Sequence, residues 1–302
     1  MTQKKRLGKL ARKEAIDCYL FISPWIIGFL IFTLGPMLFS VFLSFCRWDI
    51  FTPAQFIGLG NYRKLAAEPL FVKSLANTLF YTAFAVPLGV AGALGLSVLL
   101  NQKIRGITVY RTIYYLPAVV SGVAVALLWR WIFNPDFGVL NAILSGVFHV
   151  ANPPYWLWDE QWSKPSLILM SLWGIGGGMV IFLAGLQGIP EQLYEAAQID
   201  GASVIQRFRH ITLPMLSPVI FFNLIMGIIG SFQVFVQVYI MTGGGPANST
   251  LFYVLYLFNN GFQFFKMGYA SALAWVLFVI ILAVTLVQFK LAGRWVYYEG
   301  VK

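Results

Sequence analysis

Apolar residues along this chain gather into long, nearly continuous runs rather than the short alternating segments that a membrane β-barrel would show. Six runs reach the roughly 20 residues a helix needs to cross a hydrocarbon core. They extend over about Tyr19–Phe45, Leu75–Leu100, Tyr110–Phe133, Ser166–Ile189, Pro218–Met241 and Ala270–Phe289. Hydrocarbon offers no partner to a free N–H or C=O, so each run is expected as an α-helix. The pattern predicts an all-α integral membrane protein with six transmembrane helices. Its expected organisation is a basic N-terminus over 1–18, a first transmembrane helix over 19–45, a main transmembrane domain over 72–290 and a tail over 291–302. Pro24, Pro36, Pro87 and Pro117 lie in or near these runs. Two readings stand for them: kinks at moving parts, or prolines tolerated where neighbours satisfy the freed carbonyls.

Composition carries the same message. The chain of 302 residues is 59% hydrophobic and 11% charged, against roughly 45–50% and about 25% in soluble domains. A soluble fold of this size lacks the polar surface to cover so much apolar area. The net charge of +10 first suggests nucleic acid, but the basic residues cluster at the ends of apolar runs, and no basic face is interleaved with aromatics. Membrane lipid headgroups and the positive-inside bias explain them instead, and no nucleic-acid partner is expected. With the N-terminus inside, fourteen of the 21 Lys and Arg residues fall on the inner side, so both termini are expected in the cytoplasm. Trp129, Trp131, Trp156, Trp158 and Trp162 gather toward the outer side and read as interface anchors. Lys4 to Lys13 followed by an apolar run resembles a signal peptide. That run is about twice too long, however, and lacks a small-residue cleavage site, so a retained span is expected.

Little in the chain suggests catalysis. Cys18 and Cys46 flank the first run and are expected near opposite membrane faces, which excludes their pairing. With His149 and His210 far from them in sequence, no metal site is indicated. Glu14 and Asp17 stand where a lipoprotein signal before Cys18 would need apolar residues. No P-loop is present, and no cluster of nucleophile and base lies in the spans, so no catalytic residue and no enzyme activity are expected. Buried ionisable groups, which gradient-driven transporters use, are also missing, because Arg130 lies near an outer end and can snorkel. Energy for any pumping must then enter through a cytoplasmic loop.

The inner loop 190–214 is the unusual one. Pro190-Glu191 starts a helix, since proline fits the first turn and an acid complements the dipole. Leu193, Ala196, Ala197 and Ile199 give that helix an apolar, small-residue surface. Asp200-Gly201 signals a turn. Ser203 caps a second short helix, expected to end at about His210, before Pro214 opens the next span. The result is an elbow on the membrane surface. Its residues Glu195-Ala196-Ala197, then Gly201, then Ile211-x-Leu213-Pro214, resemble the signature loop of ATP-binding-cassette importer permeases at every fixed position and between the appropriate two spans.

Further stretches resemble the carbohydrate-uptake branch of that family, the maltose and glycerol-3-phosphate permease type: Phe56-Ile57-Gly58-Leu59-Gly60-Asn61-Tyr62, Leu128-Trp129-Arg130-Trp131-Ile132-Phe133-Asn134, Phe137-Gly138-Val139-Leu140-Asn141 and Met241-Thr242-Gly243-Gly244-Gly245-Pro246. The extra spans and large outer domain of the maltose permease are absent. The resemblance implies the type I ABC importer permease fold, with 72–290 as its transmembrane domain, in a bacterial cytoplasmic (inner) membrane. It implies a second permease subunit, two ATPase subunits that carry the ATP and Mg, and an extracytoplasmic solute-binding protein. No cofactor is implied for this subunit. In the family the elbow docks on the ATPase. Carried over, Glu195 pairs with a basic residue there, Ala196 and Ala197 allow close approach, and Asp200-Gly201 makes the bend. Arg207 faces the ATPase or headgroups, and Ile211, Leu213 and Pro214 complete the motif.

For the substrate pathway, Ser231, Gln233 and Gln237 of the fifth span and Ser171 and Trp173 of the fourth are candidates, offering hydrogen bonds and a stacking face. Interhelical packing is the competing reading for Ser231 and Gln233, and the favoured one for Asn223 and for the glycines at 174 and 176–178. The pathway lacks fixed positive charge, which favours a neutral sugar over a phosphate ester. The alternatives are a glycerol-3-phosphate permease and a gradient-driven transporter of a small polar solute.

Overall fold

The computed structural model describes residues 9–102 and 104–297. The N-terminal basic residues Lys4, Lys5 and Arg6, together with Lys103 and the tail residues 298–302, lie outside the described residues. Among the described residues, four helices are each long and apolar enough to cross a membrane: Arg12–Ser44, Pro69–Leu100, Val204–Phe232 and Met267–Ala292. Two bent helix pairs, Ile107–Val119 with Gly122–Ile132 and Glu160–Leu172 with Gly176–Gln187, account for the remaining two runs.

The first span contains a π-helical turn, Leu30–Leu34, in which the Gly35 N–H bonds the Leu30 carbonyl. A second π turn, Phe208–Thr212, lies at the start of the fifth span, with the Leu213 N–H bonded to the Phe208 carbonyl. A proline follows each turn by two residues, Pro36 and Pro214. Proline returns no N–H to the carbonyl four residues back, and its ring crowds that carbonyl. Widening the preceding turn accommodates both effects without breaking the helix.

Three expectations about the spans are corrected. Tyr110–Phe133 is not one helix: Val120 and Ser121 adopt extended ψ values of 140° and 133°, and the two halves meet at 98°. The fourth span bends by 45° at Trp173–Ile175, just before Gly176. The fifth starts earlier than Pro218 and ends earlier than Met241. It runs from Val204 to Phe232, breaks at Gln233–Phe235 and resumes as Val236–Met241. Consequently the second helix of the elbow does not stop at His210; the π turn carries it into the membrane.

Two compact units are present. One comprises residues up to Ala66 with Asn260–Trp275. In it the first span leads to a two-residue antiparallel pairing of Cys46–Arg47 with Gln55–Phe56 and then to the helix Gly60–Ala67. Buried Asn61 donates to the carbonyls of Ser44 and Cys46, both at 2.8 Å. Gly268 packs so closely on the Cys46 carbonyl that a Cβ there would overlap it. Both cysteines are free, Cys18 exposed and Cys46 buried.

The other unit comprises Ala67–Asn259 and the chain from Val276 onward. Its axis is the second span, Pro69–Leu100, which packs against both halves of the fourth span, the fifth span and the short helix Tyr253–Phe258. Asn77 on this axis donates to the carbonyls of Asn248 and Leu251, and Thr78 accepts the Tyr253 N–H at 2.9 Å. Asn141, also buried, accepts from Trp156 Nε1 at 2.7 Å and donates to the carbonyls of Pro135 and Pro154. Trp156 therefore belongs to a loop-bracing network.

Candidate functional site

The elbow is built by three local devices. Pro190, with extended ψ of 128°, launches the helix Glu191–Ile199. Gly201, at φ +77°, ends it in a Schellman arrangement: the Ala202 N–H reaches the Ala197 carbonyl at 2.9 Å, and the Gly201 N–H reaches Gln198 at 3.0 Å. Ser203 and Gln206 then form a reciprocal capping box that starts the next helix.

This elbow is fastened to the spans. Tyr194 Oη and Thr212 Oγ1 share a hydrogen bond of 2.9 Å. Tyr194, Ile211 and Met215 pack on the cluster of Leu186, Ile189 and Leu216, where the fourth and fifth spans approach closely. An added Cβ on Gly185 would stand 2.9 Å from both Leu216 and Val219. The opposite side of the elbow is open. Glu195, Ala196, Asp200, Gly201 and Pro214 are exposed, while Ala197, Arg207, Ile211 and Leu213 are half-buried. Ile199, Val204 and Ile205 are 87%, 71% and 78% exposed, which gives the elbow several exposed apolar side chains within seven residues of sequence, the kind of grouping that marks an interaction surface. Arg207 and Asp200 line a hollow with Gln206 and His210, and Arg207 Nε is buried there without a hydrogen bond. Tyr194 and Thr212 had no distinguishing sequence signal, since their pairing depends on the turn between them. The adjacent Val204 and Ile205 in the loop between the fourth and fifth spans were the available clue to the apolar face.

Several cavities lie among the spans of the same unit, and two of them share lining residues. The first, about 320 Å³, is lined by the second, fourth and fifth spans, including Tyr81, Ser171, Gly174, Asn223 and Ser231. The second, about 290 Å³, includes Tyr81, Val120, Ser171, Trp173, Gly174 and Gln237. Tyr81, Ser171 and Gly174 belong to both. The helix breaks converge here: Val120 at the 98° break, Trp173 and Gly174 at the 45° bend, and Val234 at the fifth-span interruption all line one cavity or the other. Irregular backbone at membrane depth persists only where protein or a polar cavity satisfies it. Neither lining contains an Asp, Glu, Lys or Arg.

The candidate pathway residues thus separate. Ser171 lines both cavities, Ser231 the first, and Trp173 and Gln237 the second. Gln233 is exposed and lines neither. Ser231 also spends its hydroxyl on Thr82 Oγ1 at 2.9 Å and on the Ile228 carbonyl. Asn223, expected to serve packing, does donate to Val219 at 2.9 Å but lines the first cavity as well. Tyr81 was not anticipated: a tyrosine in an apolar run carries no pattern that distinguishes cavity from core. Gly176 is a packing position, because a Cβ there would overlap the Tyr114 carbonyl.

A family model described as the "Binding-protein-dependent transport system inner membrane component" matches residues 85–296. The chain is 46% identical over 299 residues to the "Probable ABC transporter permease protein YesP" of Bacillus subtilis, covering 96% of this chain and 94% of that protein. It is 37% identical over 294 residues to the "Lactose transport system permease protein LacF" of Rhizobium radiobacter, covering 94% and 97%. Among solved structures, it resembles a chain of a bacterial alginate ABC transporter in complex with an alginate pentasaccharide-bound periplasmic protein. The TM-score is 0.83 at 26% identity, covering 93% of this chain and 96% of that one.

Proposed function

The chain belongs to the family of binding-protein-dependent transport system inner membrane components, and from that premise we propose that it forms half of the translocation path of an ATP-driven importer of neutral carbohydrate. The observation that carries the proposal is the elbow, a rigid cytoplasmic projection bonded to two spans and presenting a bare apolar face. Its exposed Ile199, Val204 and Ile205 fit a cleft on an ATPase subunit, with Glu195 meeting a basic residue of that cleft. Two ATPases carry ATP and Mg, a second permease closes the path, and a binding protein delivers substrate from outside. Both termini and residues 190–214 lie on the cytoplasmic side.

ATP binding draws the two ATPases together, the elbows follow, and the path turns outward; hydrolysis reverses the motion by rigid-body displacement. The two cavities are the sugar path through this half. Hydroxyls of Tyr81, Ser171 and Ser231 and the amide of Gln237 exchange hydrogen bonds with substrate, and Trp173 offers a ring to its apolar face. A named lactose permease and an alginate transporter stand among the relatives, one for a neutral and one for an acidic saccharide. Linings without ionised groups support the neutral class, and equally weigh against a glycerol phosphate.

The test is reconstitution of the complete importer with its binding protein and measurement of substrate-stimulated ATP hydrolysis. Glu195→Lys and Gly201→Val are expected to insert normally yet abolish uptake. Full uptake by both variants would count against docking through the elbow.

A further inference from the structure

At the end of the first span remote from the N-terminus, three chain segments of one unit close around an open cavity of about 470 Å³. Arg47 comes from the short pairing after the span, Lys64 from the helix Gly60–Ala67 and Lys266 from the loop before Met267. Asp49 is the single carboxylate of the lining, and Trp48 and Tyr269 supply aromatic walls. Asp49 is already engaged, accepting from the Thr52 hydroxyl at 2.6 Å and the Thr52 N–H at 2.9 Å. The hydroxyl bond, with the N–H bond behind it, holds the carboxyl below its ordinary range, so the cavity keeps two net positive charges at neutral pH.

The convergence is built rather than incidental. Gly268 brings its backbone against Cys46 and bonds the Trp48 carbonyl at 3.2 Å, which fastens the Lys266 segment to the one that carries Arg47 in the same lining. Lys64 Nζ lies 5.4 Å from the centre of the Tyr269 ring. Three like charges gathered in one hollow repel one another unless an anion joins them, and such a hollow focuses potential on an incoming negative group.

The neighbouring surface says what kind of anion. Trp48 meets Phe39 edge-on at 6.5 Å, and Phe39 opens onto the exposed apolar face of the span, with Phe32 80%, Leu38 59% and Phe42 51% exposed. An amphiphile can place a charged head in the cavity and its chains along that face. A phosphodiester suits the head: Arg offers a paired fork and the lysines offer point charges, while Trp and Tyr sit at headgroup level. We propose that this cavity is a binding site for an anionic membrane phospholipid, its phosphate held by Arg47, Lys64 and Lys266 and its acyl chains laid against the first span.

The site is tested on the full chain in its purified complex by native mass spectrometry in detergent doped with phosphatidylglycerol or phosphatidylcholine. The wild type is expected to retain phosphatidylglycerol in preference to phosphatidylcholine. The triple variant Arg47→Gln/Lys64→Gln/Lys266→Gln should lose that retention, by roughly fivefold for each charge removed. Asp49→Asn removes the opposing charge while leaving an oxygen for Thr52, and should strengthen retention; it gives a reading even where the triple variant fails to fold. Soluble glycerol phosphate is the competitor arm. If it displaces the lipid at equal concentration, the site recognises a free phosphate and the lipid assignment falls. Undiminished retention in the triple variant, or unaltered retention in Asp49→Asn, overturns the proposal. So does a triple variant that keeps its lipid while losing affinity for the binding protein, which would make the cavity a protein contact.

Discussion

Three buried asparagines do similar work at separate places in this molecule. Asn61, Asn77 and Asn141 each donate to two backbone carbonyls of loops or helix ends. A backbone carbonyl in a dry setting needs a donor, and a primary amide has two to give. Replacing Asn61 by Leu strands the Ser44 and Cys46 carbonyls, and is expected to lower stability by about 1–3 kcal/mol. A thermal melt of the detergent-purified chain would register it, and an unchanged midpoint would show that other donors reach those carbonyls. Glycine acts by the opposite means, through what it lacks. Gly176→Ala pushes a methyl into the Tyr114 carbonyl, so about 1–3 kcal/mol of overpacking is expected. Gly201→Ala meets no atom within 4 Å. Its cost of about 1 kcal/mol comes from the left-handed backbone alone, and is expected to appear in coupling rather than in insertion.

Elements differ in how plainly the chain announces them. The second and sixth spans were legible because they are uninterrupted apolar runs, and hydropathy sees runs. The elbow was legible for another reason: Pro190, Gly201 and Ser203 each perform a local task that needs no distant partner. What escaped was interruption. The extended pair Val120-Ser121 and the stop at Gln233 remain apolar or small on average, so a window of about 20 residues passes over them. Pro117 and the Ser121-Gly122 step were the available hints in the third span. The cavities escaped with the breaks, because Tyr81, Ser171 and Gln237 become neighbours only once the spans are packed. The π turns Leu30–Leu34 and Phe208–Thr212 were hidden similarly, although a proline stands two residues downstream of both; a third, Asn259–Gln263, has no such mark. Pro214→Ala is expected to restore a donor to the His210 carbonyl and tighten Phe208–Thr212 to α-helical bonding. That removes the extra residue from the turn and rotates the elbow about the span, so ATP hydrolysis should become independent of substrate. Retained substrate stimulation would show that the turn tolerates either bonding.

For the molecule as a whole, orientation decides whether the parts can work together. Ser203→Cys in a background lacking Cys18 and Cys46 is expected to react with an impermeant maleimide in inverted vesicles and not in intact cells. Labelling from the outside would place the elbow beyond reach of any ATPase. Uptake should cease on ATP depletion and persist with an ionophore, as expected for a bundle in which the two cavities sharing Tyr81 and Ser171 carry no ionised side chain. The uninterrupted passage from Val204 to Phe232 adds a mechanical consequence. At 1.5 Å per residue this rod is roughly 40 Å long, so a tilt of about 5° applied at its elbow end sweeps the far end by about 3.5 Å. The π turn Phe208–Thr212 lies close to the elbow end, and the arm ends beside Ser231, one of the proposed sugar contacts. Under the proposed coupling, a small stroke at the elbow is thereby geared up into a movement comparable to the width of a water molecule at the far end of the helix, where the proposed path lies.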